Sequence, residues 1–281
     1  MRRRLGWIAL VCALMAAPAA AQQRPLVTED PEVIGAGLML LEGGFEYNRD
    51  ILFPASGLQG NLLRVPTLGL SIGISSIAEL QIDGGFDAMS IESTGVGTAP
   101  LAHMLRVTGD STHDLEDIVI ATKIRISAET PSSPAFGVRI ATKLPIATNE
   151  SGLGLDTTDF HVQALIGKTV QSIRFVGNVG VGILPDPLRG DDQNDVILYG
   201  FSIARAIREG LEIVGEINGR ASTRTRAPIG TESRGVMRLG GRFTRGTVRV
   251  DGGILLGVTS RDPGFGFTAG ATWVFRGFTL P

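Results

Sequence analysis

The chain has 281 residues, with 26 Lys and Arg against 28 Asp and Glu and a formal net charge of -2. Charges of both signs are interspersed, which leaves no basic face for nucleic acid and excludes it as a partner. The single cysteine, Cys12, lies near the N-terminus, so the rest of the chain excludes a disulfide framework, a Cys-based zinc site and a thiol nucleophile.

The chain opens on Arg2, Arg3 and Arg4, an apolar run from Leu5 to Ala17, then Pro18 and the small residues Ala19 to Ala21. That order predicts a secretory signal peptide over 1–21, cleaved after Ala21. The run is too short for a spanning helix, which needs about 20 apolar residues. No later apolar run is long enough either, so helical membrane spans are excluded. The remaining chain shows no linker or break in composition and is expected to fold as one domain. Its 38 glycines and positive mean hydropathy suit a barrel, in which hydrophobicity alternates and never accumulates.

Residues 22–36 are expected to form a periplasmic N-terminal segment. Beyond them the period is two. Ile118, Ile120, Thr122, Ile124, Ile126 and Ala128 alternate with a row carrying Asp117, Lys123 and Arg125. Ala78, Leu80, Ile82, Phe86 and Ala88 alternate with Glu79, Gln81, Asp83 and Asp87, and Phe160, Val162, Ala164 and Ile166 with Asp159, His161 and Gln163. Near the end, Phe265, Phe267, Trp273 and Phe275 share one face and read as membrane-interface aromatics. The alternation predicts strands at 37–48, 61–74, 78–90, 116–128, 135–145, 157–170, 172–184, 194–206, 209–221, 233–245, 247–258 and 265–275. These are about twelve crossings, an even number as outer-membrane barrels require.

Long and short connections then alternate along the chain. The long ones are 49–60, 91–115, 146–156, 185–193, 222–232 and 259–264. Outer-membrane barrels show this asymmetry, with short periplasmic turns and longer external loops, so the prediction is an all-β antiparallel transmembrane β-barrel over 37–275 with periplasmic termini and a tail over 276–281. A soluble β-sandwich is the rival. It gives the mixed charges of the polar rows no shared interior, whereas barrel closure gathers them in a lumen.

Four stretches carry a resemblance to a family. They are RPLVTEDPEVIGAGLMLLEGGFEY (Arg24 to Tyr47), GISSIAELQI (Gly73 to Ile82), LEDIVIATKIRI (Leu115 to Ile126) and ATKLPIATNESGLGLDTTDF (Ala141 to Phe160). The chain resembles the outer-membrane transporter family named for the meta-pathway of phenol degradation. Glu116 stands where that family usually has Gly. The chain also runs past Phe275 to Phe278 and Pro281, whereas many such barrels end on the aromatic residue read by the assembly machinery. The resemblance implies an outer-membrane barrel and suggests aromatic solutes through the family's label.

By parity the lumen receives Glu42, Glu46, Arg64, Glu79, Asp83, Asp87, Lys123, Arg125, Arg139, Lys143, Arg174, Glu212, Glu216, Arg220, Arg234, Arg238, Arg242 and Arg249. Acids lead in the early strands and bases in the later ones, and closure sets them beside each other in a low-dielectric interior. The functional reading is a pore whose transverse field selects solutes; the bland one is a self-neutralising polar core. The histidines are His103, His113 and His161, and no Ser can be paired with one of them from spacing. The acidic run Asp191 to Asp195 lacks the spacing of a calcium loop and reads as a solvated turn. The loop from Ile91 to Asp114 is either an inward constriction or a mobile external loop.

The expected function is a passive outer-membrane channel for small solutes, without cofactor or metal and without enzymatic activity. Its expected partners are the bilayer, lipopolysaccharide, the assembly machinery and the solutes. A non-conducting structural barrel and an outer-membrane hydrolase are the alternatives.

Overall fold

In the computed structural model residues 24–95 and 99–279 are described; the expected leader over 1–21, with Cys12, lies outside them, as do Leu280 and Pro281. The strands are β1 (Leu38–Phe53), β2 (Leu58–Gly73), β3 (Ala78–Ser93), β4 (Ser111–Leu115), β5 (Ile118–Ser127), β6 (Ala135–Leu144) and β7 (Asp159–Val170). They continue with β8 (Ile173–Asp186), β9 (Arg189–Arg208), β10 (Leu211–Ser222), β11 (Arg234–Arg245), β12 (Val248–Gly257) and β13 (Phe265–Arg276). Every neighbouring pair is antiparallel, and β13 pairs with β1 from Leu38↔Arg276 to Arg49↔Phe265, which closes the sheet. Twelve strands make the closed wall, and β4 is an extra short strand laid on the outer half of β3. Closure satisfies each strand's backbone on both sides and leaves no edge around most of the circumference.

One rim carries both ends of the barrel chain and the tight turns. Between β9 and β10, and between β11 and β12, the chain reverses through Gly210 (φ +73°) and Gly246 (φ +62°), left-handed conformations that only glycine adopts without strain. The opposite rim carries the long connections. There β1, β2, β3 and β9 run further than their alternation suggests, so the expected links 49–60 and 185–193 shrink to tight hairpins and the acidic run 191–195 lies on β9. Past the apolar belt nothing demands alternation of greasy and polar residues, so these extensions leave no period to read. The strand expected over 116–128 appears as β5, while the short β4 stands inside what reads as the loop 91–115.

The outer surface decides what medium the barrel is built for. Leu41, Leu68, Ile124, Ile140, Ile166, Val181, Phe201, Ile213, Leu239, Ile254 and Phe267 are all exposed on it. Such a continuous apolar surface is untenable in water and matches a hydrocarbon environment. Phe265, Phe267 and Trp273 belong to the same face, and Phe275 is half-buried with its ring 4.4 Å from that of Trp273. Among the described residues no helix is long and apolar enough to cross a membrane, and the fold has no need of one.

Candidate functional site: a strapped lumen with a thin place in its wall

The interior is polar, and the described part of the N-terminal segment lies in it. Where the sequence places 22–36 in the periplasm, residues Arg24 to Ile34 cross the lumen as a strap, pinned to side chains that project inward from the wall. Glu29 meets Lys123 at 3.4 Å and Arg139 at 3.0 Å. Asp30 takes a two-pronged grip from Arg174 at 2.9 and 2.7 Å, and Glu32 meets Arg125 at 2.5 Å. The strap's backbone is held in turn: the N–H groups of Val27 and Thr28 donate to the Glu216 carboxylate, that of Glu29 to Asn178, and that of Ile34 to Glu79. Leu26 packs on Ala204 and Val214, and Arg24 reaches Asp251, Thr67 and Thr268. A chain in the lumen has no ladder to satisfy its peptide groups, so wall side chains supply the partners instead.

Most of the remaining inward residues pair within the wall. Arg64 sits among Glu46, Asp87 and Glu116; Arg238 bridges Glu46 and Glu216; Arg242 and Arg249 share Glu212. Lys143 holds Asp117 and Asp159, Arg139 also faces Asp83 at 3.8 Å, and Thr272 donates to Glu42. All the parity-assigned residues therefore point into the barrel. The Arg238 to Glu46 contact joins a late strand to an early one as closure requires. Sequence reasoning missed the strap acids Glu29, Asp30 and Glu32. Their signal was available: Lys123, Arg125, Arg139 and Arg174 crowd bases onto β5, β6 and β8, and three acids lie within the four residues 29–32.

Beside the strap a cavity of about 590 Å³ remains, bordered by Leu26 to Glu29 below and by Arg64, His161, Tyr199, Arg220 and Arg234 higher up. Its side wall is defective at one place. Val65 and Pro66 slip out of register with β3 between Arg64↔Asp87 and Thr67↔Gly85, a bulge at a residue that has no N–H to give the ladder. On the other edge of β3 the partner changes from Val119 of β5 to Leu115 of β4 across Gly84 and Gly85. The far side of β4 has no ladder partner among the described residues. Asp114 accepts from the Thr148 N–H and hydroxyl, and Asp117 from the N–H groups of Ile146 and Ala147, so two carboxylates stitch the loop to the wall where backbone pairing is missing.

A second cavity, of about 460 Å³ and lined by Leu41, Pro66, Leu70, Phe86, Leu115 and Ile146 among others, opens on the apolar outer face at this defect. Leu68, Gly69, Asp83, Gly84 and Glu116 line both cavities, so a wall one residue thick separates interior from outer face there, with the Glu116 N–H donating to the Gly85 carbonyl at 2.9 Å. The loop 91–115 lies on the long-connection rim. Its Leu101 N–H donates to Ala55, and Leu105 packs against the cluster of Ile51, Leu58, Leu62 and Met89. His161 faces the lumen, while His113 stacks with Phe86 at the outer wall and His103 bonds the Pro100 carbonyl. Among the described residues no group of three His, Cys, Asp or Glu is placed to hold a metal.

This geometry is that of an outer-membrane type of closed β-barrel, and comparison with known proteins agrees. The chain is similar to the COG4313 outer membrane channel from Pseudomonas putida F1, with a TM-score of 0.60 and 12% identity over 88% of this chain and 98% of that one. It is also similar to the NanC porin, with a TM-score of 0.50 and 8% identity over 84% of this chain and 98% of that one. At these identities the likeness establishes the fold. No protein-family model matches the chain, and no curated protein matches it.

Proposed function

We infer that the protein is exported through cleavage of its first 21 residues, inserts in the outer membrane with its chain ends in the periplasm, and passively admits small solutes that carry an apolar body. The solute enters at the long-connection rim, passes into the cavity beside the strap, and leaves sideways into the membrane through the gap at Pro66, Gly84 and Glu116. The carrying observation is that the lumenal and outer cavities share Leu68, Gly69, Asp83, Gly84 and Glu116. A straight aqueous bore fits less well, because the strap crosses the lumen and its ion pairs are largely buried. The aromatic solutes suggested by the phenol-degradation label suit the apolar gap, and the shared fold with an outer membrane channel supports passage over a purely structural role.

The test is uptake of a radiolabelled monoaromatic hydrocarbon by Gram-negative cells whose lipopolysaccharide layer excludes it, with and without the protein. Faster uptake with the protein is expected. Equal uptake would favour a barrel sealed by its own strap.

A further inference from the structure

Among the described residues, the inward-facing cations of this barrel each lie at ion-pair distance from a carboxylate, with two exceptions. Arg64, Lys123, Arg125, Arg139, Lys143 and Arg174 each meet a carboxylate, as do those on the later strands apart from Arg220 and Arg234. These two are direct partners across the β10–β11 ladder, and among the described residues neither has a carboxylate at ion-pair distance. Like charges set directly opposite each other in a sheet are destabilising, so an uncompensated pair of this kind calls for a reason.

Their hydrogen bonds supply one. Arg220 donates from Nε to the Glu232 carbonyl at 2.9 Å and from Nη2 to the Gly230 carbonyl at 2.6 Å. Arg234 donates to the Arg261 and Leu52 carbonyls at 3.0 and 3.2 Å. Neutral carbonyls fix both heads in place without cancelling their charge. A guanidinium carries about five N–H donors, so each head keeps donors free. The nearby acids have other contacts, Asp159 with Lys143, Glu232 with Arg261, and Asp262 with the Gly235 and Thr259 N–H groups, and none of them closes a direct ion pair with either guanidinium.

The surroundings define what would bind. Arg220 and Arg234 lie where a vestibule of about 270 Å³ at the long-connection rim meets the lumenal cavity. Above them the vestibule is walled by Phe53, Leu153, Leu155 and Leu184. Two guanidiniums under an apolar wall, in a vestibule that Asp117, Lys143 and Asp159 also line, match an anion with a short greasy body, and paired guanidinium forks match the two oxygens of a carboxylate.

We propose that Arg220 and Arg234 form a selectivity site for small amphipathic carboxylates, which dock with the carboxylate on the two guanidiniums and the apolar body against Phe53 and Leu153. This rests on the channel reading above and names its substrate class. The carboxylate takes up the free donors of the two guanidiniums, and its arrival at the upper mouth places the apolar body on the way to the wall gap.

The experiment is isothermal titration of the purified protein in detergent with hexanoate, its neutral counterpart hexanamide, and inorganic phosphate. Saturable hexanoate binding, at least tenfold tighter than either comparator, is expected. The Arg220→Gln/Arg234→Gln variant should lose it, and Arg220→Lys/Arg234→Lys should retain part of it. Because the wild-type comparison stands without any variant, a misfolded variant leaves the test intact. Absence of hexanoate binding, hexanamide binding as tight as hexanoate, or phosphate binding as tight as hexanoate would each overturn the proposal. If hexanoate fails to bind while hydrocarbon uptake by cells persists, the carboxylate site is lost and the channel stands; if uptake fails too, the channel reading is lost with it.

Discussion

Replacing Lys123 by methionine removes the cation on which the strap and the wall converge. Its Nζ lies 3.4 Å from Glu29 of the strap and 3.0 Å from Glu79 of β3, and its side chain is fully buried. Taking one partner from a buried pair costs about 3–5 kcal/mol, because the carboxylates left behind are neither solvated nor compensated. Release of the strap relieves part of that penalty by letting Glu29 reach water, while Arg139 continues to hold it when seated. Assigning about 3 kcal/mol to the seated state raises the released fraction by roughly 100-fold, at about 1.4 kcal/mol per tenfold. Leu26 is 8% exposed, packed on Ala204 and Val214, and Cys12 is the only native cysteine, so Leu26→Cys is a clean reporter once the leader is removed. Modification of that thiol by a charged methanethiosulfonate should accelerate by about two orders of magnitude in the Lys123→Met background if labelling follows local opening. Lys123→Arg should label slowly. A Lys123→Met rate equal to that of the parent, in a barrel that keeps its heat-modifiable migration, would refute the view that these ion pairs hold the strap down.

Three further outcomes follow from the same contacts. Deleting residues 24–33 should open the bore, and planar-bilayer recordings should show a larger single-channel conductance than the intact protein; equal conductance would mean that the strap does not limit the passage. Asp262→Ala removes the acceptor of the Gly235 N–H at 2.9 Å and of the Thr259 N–H at 2.9 Å and hydroxyl at 2.7 Å, so loop 258–264 should become sensitive to protease at a local cost of about 1–3 kcal/mol per orphaned group. At the opposite rim, burial pushes the Glu129 carboxyl up, but the Thr169 N–H, Lys168 and Arg174 outweigh it and hold it below the ordinary Glu range. A depressed carboxyl stabilises the fold above its unfolded pKa and loses that contribution as pH falls through its folded value. Protection of the amides in turn 128–134, taken relative to their intrinsic exchange rate at each pH, should therefore fall on acidification below the ordinary Glu range, and Glu129→Gln should show lowered protection already at neutral pH.

The wall was legible because lipid outside and polar groups inside enforce alternation. Lys123 and Arg125 face inward and Ile124 and Ile126 outward with nothing but parity to say so, and the tight turns at Gln171 and Gly246 fall where the period breaks. The strap's path was not legible from periodicity, although its acids could have been matched to the bases of the wall. Thr28 to Ile34 has no period of its own, since its groups are satisfied one by one by Glu216, Asn178 and Glu79 on distant strands. The gap was hidden for a similar reason. Pro66 interrupts an otherwise regular row, but the defect exists only because Gly84 and Gly85 and the Glu116 to Asp117 break meet it side by side in the closed sheet. Arg220 and Arg234 are lumen-facing by parity alone; that they lack carboxylate partners emerges only from the closed structure.

The wall gap is tested most directly at Gly84. A β-carbon there would meet only the Ile118 Cγ1, at an ordinary 3.6 Å, so Gly84→Leu adds bulk at the wall between the two cavities, on the Ile118 side, without displacing backbone. The measurement is the rate of monoaromatic hydrocarbon uptake by cells producing equal amounts of folded parent or Gly84→Leu barrel. Passage through the wall predicts that the variant falls to the rate of cells without the protein. Uptake by the variant at the parent's rate would contradict a sideways exit and return the route to the bore beside the strap.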